Sequence, residues 1–171
     1  MAGLVLLSWA WPVAGGEKQN IQSIAVPMGF AMEEMRVTPG GIIHVEGLSA
    51  VYMMLSDNPL TAGRITVTGN FNGELSLNGV GSGSAIFEGG AWDSTSGTPV
   101  FNASADGGLW EGMWEHKGIL GGAITQHKAV GHGVAGEVQG MVYAVEGQTV
   151  WNDEFDMYVT VYTGWLLDPK N

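Results

Sequence analysis

The stretch G-G-L-W-E-G-M-W-E-H-K-G, residues 107–118, decides how the rest of the chain is read. On an extended backbone Glu111, Met113, Glu115 and Lys117 fall on one side, while Trp110, Gly112, Trp114 and His116 fall on the other. A period of two is that of a strand with one wet and one covered face, and a helix would mix the two sets. The tryptophan side is therefore expected to face inward. Gly112, between the two indoles, leaves room for a ring to lie over the backbone of its own strand or for something else to enter. Two readings follow for the pair: rings that fill a core, or the aromatic wall of an internal pocket.

The same period recurs along the chain. Ile65 and Val67 oppose Arg64, Thr66 and Thr68; Leu75 and Leu77 oppose Glu74, Ser76 and Asn78. Toward the C-terminus Asp156, Tyr158, Thr160 and Tyr162 alternate with Met157, Val159, Val161, Thr163 and Trp165. Strand-like runs at 42–55, 64–71, 74–77, 84–88, 109–116, 123–130, 138–145 and 155–167 are punctuated by Gly, Asn, Asp and Pro. Residues 20–35, which contain Pro27 and Gly29, read as a strand or a short turn of helix. With 28 glycines and no run long enough for a crossover helix, parallel βαβ folds are disfavoured. The expected fold is all-β, a single antiparallel barrel of about eight strands, with a β-sandwich as the alternative; closure removes edges that an open sheet would expose.

A formal charge of −11, from 17 acidic against 6 basic residues, repels phosphate backbones and anionic headgroups, so no nucleic acid partner is expected. The N-terminal M-A-G-L-V-L-L-S-W-A-W-P-V-A-G-G has the apolar core and small-residue end of a secretory signal peptide but no positively charged start. Residues 1–16 are thus expected to be a leader, too short for a comfortable membrane span, and 17–171 one barrel domain that is secreted or periplasmic. If the apolar run is instead a first strand packed on the domain, a cytoplasmic protein is the alternative. The chain has no cysteine, so an exported form would rely on its core alone.

His127, in the run 124–130, is expected to point inward beside Ala129, with Gln126 and Lys128 outward. His116 and His127 then reach one interior from consecutive strands, where imidazoles can anchor a polar group or move a proton. Each is equally consistent with a hydrogen-bonded core or rim histidine. His127 and His132 are five apart and so on opposite faces of an unbroken strand, and no H-E-x-x-H or cysteine cluster is present; no metal or cofactor site is expected. His44 has no assignable face. S-D-N-P-L, residues 56–60, reads as a turn capped by Asp57 and Asn58, and W-N-D-E-F-D, residues 151–156, as a solvated strand entry. Gly79, Gly81 and Gly83 read as close sheet packing, and Trp92 or Trp151 as a possible sugar-stacking surface without distinctive spacing.

The order H-V-E-G (44–47), S-D-N-P-L-T-A-G-R-I-T-V-T-G-N (56–70), G-G-L-W-E-G-M-W-E (107–115) and G-H-G-V-A-G-E-V-Q-G (131–140) resembles the small eight-stranded barrels of the allene oxide cyclase and dirigent type. The resemblance implies an antiparallel barrel, often oligomeric, whose cavity admits a small hydrophobic molecule or steers its cyclisation. It matches no family catalytic residue to a position here. The expectation is a barrel that binds a small apolar molecule against Trp110, Trp114 and His116, with His127 as polar anchor. The rivals are a cyclase or isomerase using His116 or His127 as acid or base, and a filled, structural barrel.

Overall fold

The computed structural model describes residues 16–74, 78–88, 91–93, 98–100, 108–120 and 123–170. The strands are β1 (Glu17–Ala31), β2 (Glu34–Val37), β3 (Ile42–Ser56), β4 (Gly63–Glu74), β5 (Gly79–Glu88), β6 (Ala91–Asp93), β7 (Thr98–Val100), β8 (Leu109–Leu120), β9 (Ala123–Ala135), β10 (Val142–Asn152) and β11 (Met157–Asp168). Hydrogen bonding runs β1-β11-β10-β9-β8-β5-β4-β3, and β1 also pairs with β3. Every ladder is antiparallel, so eight strands close on themselves and the sandwich alternative is excluded. β2 extends the free side of β3, and β6 pairs with β7 in a separate ribbon.

Residues 20–35, left between strand and a short turn of helix by the sequence, are strand in β1 to Ala31 and in β2 from Glu34, with a break at Met32 and Glu33. β1 performs the closure: residues 17–25 pair with β11 while residues 23–31 pair with β3. The β11 ladder stops at Ala25↔Thr160, shortly before Pro27, which has no N–H to donate. β1 and β2 follow β3 in succession, and the break between them sits opposite a bulge at Glu46 and Gly47, where Gly47 adopts φ 63° and the Glu33 amide donates to the Glu46 carbonyl. A side chain at Gly47 would meet both that left-handed backbone and the Glu33 side chain.

Two expected strands shift. Glu74 ends β4 instead of opening a further strand, and its amide donates to the Asn78 carbonyl across a tight connection; Leu75, Ser76 and Leu77 lie outside the described residues. The run 138–145 divides: Gly136–Val138 is a 3-10 turn and β10 begins at Val142. The Gly133 amide donates to the Met141 carbonyl and the Gly140 amide to the Gly133 carbonyl to hold this connection, which tucks Val138 and Met141 into the core. The 56–60 turn forms as its residues suggest, with Asn58 Oδ1 accepting from the Leu60 amide, while Asp57 instead accepts from the Gln22 amide on β1.

The interior has two apolar clusters. One joins Ile21, Ile65, Ala85, Trp110, Val138, Met141 and Leu166; the other joins Ile43, Val45, Leu48 and Phe71, with Trp114 against it. Between them four glycines lie side by side across four strands: Gly69↔Gly83↔Gly112↔Gly131. A methyl group on Gly83 or Gly112 would collide with the neighbouring backbone, so this wall carries no side chains and the volume inside it stays open.

Candidate functional site

The strand alternation delivers one face of each strand to the interior, and the four residues singled out by sequence meet there. Trp110, Trp114, His116 and His127 all line one cavity of about 270 Å³ enclosed by the barrel. Its walls are mostly aliphatic and aromatic, from Ile21 and Ala25 on β1 to Val145 on β10. Phe30 lines it too yet is 64% exposed, which marks the mouth on the side of the β1 overhang.

His116 and His127 are direct cross-strand partners, with ring centroids 4.9 Å apart in edge-to-face contact. Burial first, and then the neighbouring His127, lower the His116 pKa to about 4, so it is a neutral imidazole at pH 7. Phe71 stacks against it at 5.5 Å. His127 Nε2 is 3.2 Å from Thr149 Oγ1 and 3.4 Å from Thr160 Oγ1, and the two hydroxyls are 3.3 Å apart. This triangle orients the His127 ring from β10 and β11. On its other flank stands Tyr162, at 5.8 Å between centroids.

Three tyrosines that sequence reasoning did not select complete the lining: Tyr52, Tyr143 and Tyr162. Tyr52 sits in a run apolar on both sides, where periodicity is silent. Tyr162 belongs to the alternating set 156–162, which looked like a polar face; its side of β11 turns inward, and Val161 faces out. Burial raises all three phenol pKa values, Tyr143 to about 12. The Trp110 ring packs edge-on against Tyr143 at 4.9 Å, and the whole side chain is 1% exposed.

No protein-family model, curated protein or solved structure matches this chain. The barrel implied by the allene oxide cyclase and dirigent resemblance is present, and what is shared extends to architecture.

The remaining candidates are dispersed. His132 is exposed on the opposite face of β9 from His127, as five-residue spacing requires. His44 faces outward and hydrogen-bonds Asn72. Trp151 is exposed, but its indole N–H donates to Asp153 at 2.9 Å and its ring contacts Tyr158 edge-on. The Asn152 side chain accepts from the Glu154 and Phe155 amides, so the 151–156 segment is a turn into β11. Gly81 lies directly under the Trp114 indole and Gly79 against Phe71, the close packing their spacing suggested. The Trp92 side chain and residues 1–15 lie outside the described residues. Among the described residues no helix is long and apolar enough to cross a membrane.

Proposed function

We propose that this chain is a container: a β-barrel that takes up one small, mostly apolar molecule in its interior. The observation that carries the reading is the cavity of about 270 Å³ beside Trp110, walled by apolar side chains with a few convergent polar groups, the usual composition of a ligand site. Barrels of eight strands are just wide enough to hold one small ligand. A barrel filled by its own side chains is disfavoured by the same space, because interiors normally pack with few voids larger than a water molecule. Native mass spectrometry of the protein from its own host, followed by denaturing extraction, tests the reading. A stoichiometric apolar molecule is the expected result; bare protein that shifts with none of a panel of hydrophobic compounds overturns it.

A second reading, a cyclase or isomerase of the allene oxide cyclase or dirigent type, is supported by the facing His116 and His127. At pH 7 the depressed His116 is a weak base, which leaves His127 as the group to move a proton. It predicts that His127→Ala abolishes turnover while ligand affinity is largely kept; equal loss of both counts against it. Export belongs to the proposal as well, and N-terminal sequencing of the mature protein tests it by the presence or loss of residues 1–16.

A further inference from the structure

We infer that the molecule held in this cavity is neutral and carries a carbonyl oxygen on its apolar body, received by the Trp110 indole N–H and the phenols of Tyr52, Tyr143 and Tyr162. The inference rests on the container reading and adds the chemical class of the ligand.

Trp110 carries the argument. Its side chain is 1% exposed and lines the cavity, and its Nε1 is a buried donor with no hydrogen-bond partner among the described residues. A buried N–H without an acceptor is destabilising, and native structures keep few of them. Among the described residues no acceptor meets it, which leaves a ligand oxygen as its partner.

The surrounding groups repeat the demand. Among the described residues the Tyr52, Tyr143 and Tyr162 hydroxyls take part in no side-chain hydrogen bond, and all three line the cavity. Desolvation keeps each of them protonated, and Tyr162 is raised further by the proximity of Tyr52 and Tyr143, so the phenols cluster. A hydrocarbon would leave these donors orphaned, whereas a carbonyl oxygen, with two lone pairs, satisfies two at once.

The charge of the ligand follows from what is missing around it. Among the described residues the lining holds no Asp, Glu or Arg, and one lysine, Lys128, which directs its ammonium to Glu146 at 2.8 Å with half of its side chain exposed. His116 is neutral at pH 7. A carboxylate would be desolvated here without a counter-charge, inside a molecule of formal charge −11.

The test uses three probes on one skeleton, diphenylmethane, benzophenone and diphenylacetic acid, titrated calorimetrically into the full chain at pH 7. Benzophenone is expected to bind at least about tenfold tighter than diphenylmethane, and the acid more weakly than the ketone. In Tyr143→Phe, which keeps the ring, and in Trp110→Phe, which removes the N–H together with the five-membered part of the indole, the ketone preference should fall to within about twofold while diphenylmethane binding persists. Should Trp110→Phe fail to fold, Tyr162→Phe takes its place, and the three-probe comparison on the unaltered protein stands regardless. Equal binding of ketone and hydrocarbon, as when bound water satisfies the donors, overturns the inference and leaves the container reading intact. So does an acid that binds tighter than the ketone, or a preference unchanged in the variants. Binding by none of the three removes the container reading and the inference with it.

Discussion

At Gly81 the sequence offers no side chain because the Trp114 indole occupies that place from the neighbouring strand. Gly81→Ala is therefore expected to lower stability by about 1–3 kcal/mol through overpacking, read in urea denaturation, with a change in tryptophan emission as the ring is displaced. His116 gives a second residue-level prediction. Its native pKa of about 4 lies below that of the unfolded chain, so as pH falls the unfolded state takes up the proton first. Its contribution to stability is complete above about pH 6.5 and is lost between there and pH 4, amounting to about 3 kcal/mol at most. Unfolding free energies of the wild type and His116→Gln across that window check it: the difference between them should narrow as pH falls, and a parallel pair of curves would refute it. The inward direction of Trp110, Trp114, His116 and His127 was legible because each alternates with charged neighbours on its own strand. Tyr52 and Tyr143 were not legible, since both sit in runs without polar neighbours to mark a face. For Tyr162 the mark misled, because a phenol and a threonine hydroxyl resemble a wet face until the barrel folds over them.

At the scale of the element, the instructive strand is β1. Its sequence, with Pro27 and Gly29, left a strand or a short turn of helix open, and β1 is extended because a strand can carry proline where one edge needs no donor. The same feature divides its dynamics. Residues 17–25 are held on one side by β11, and residues 23–31 on the other by β3, whereas among the described residues the β11-side edge of 27–37 carries no ladder. Amide hydrogen exchange should accordingly be slow through Ile21–Ala25 and at least about tenfold faster at Met28–Val37; uniform protection along both stretches would show that this edge is covered. That overhang carries Met28, Phe30, Met32 and Met35, all substantially exposed, beside the mouth marked by Phe30. The shift of β10 from 138 to 142 has a similar cause: Val138 was read as strand from its hydrophobicity, but its side chain is the plug beneath Gly108 and Gly133, and the backbone turns to deliver it.

For the whole molecule, a cavity in a barrel without cysteines implies that occupancy and stability are linked. A ligand at a hundredfold excess over its Kd should raise the unfolding free energy by about 2.7 kcal/mol, roughly 5–10 °C in Tm for a chain of this size. Scanning calorimetry against ligand concentration checks this, and a Tm indifferent to a bound compound would show that it binds the unfolded chain equally well and does not need the barrel. What the sequence determined by itself was most of the strands and the covered side of β4, β8 and β9, because the period of two is a local property written in adjacent residues. The tertiary structure decided the rest, because register and closure join residues far apart in the chain. Only pairing across four strands aligns Gly69, Gly83, Gly112 and Gly131 into a wall without side chains. Only the closure of β1 onto both β11 and β3 makes a barrel of a curved sheet. Only inside that closed space does the Trp110 indole become a donor without a partner among the described residues, which no pattern of neighbours along the chain could reveal.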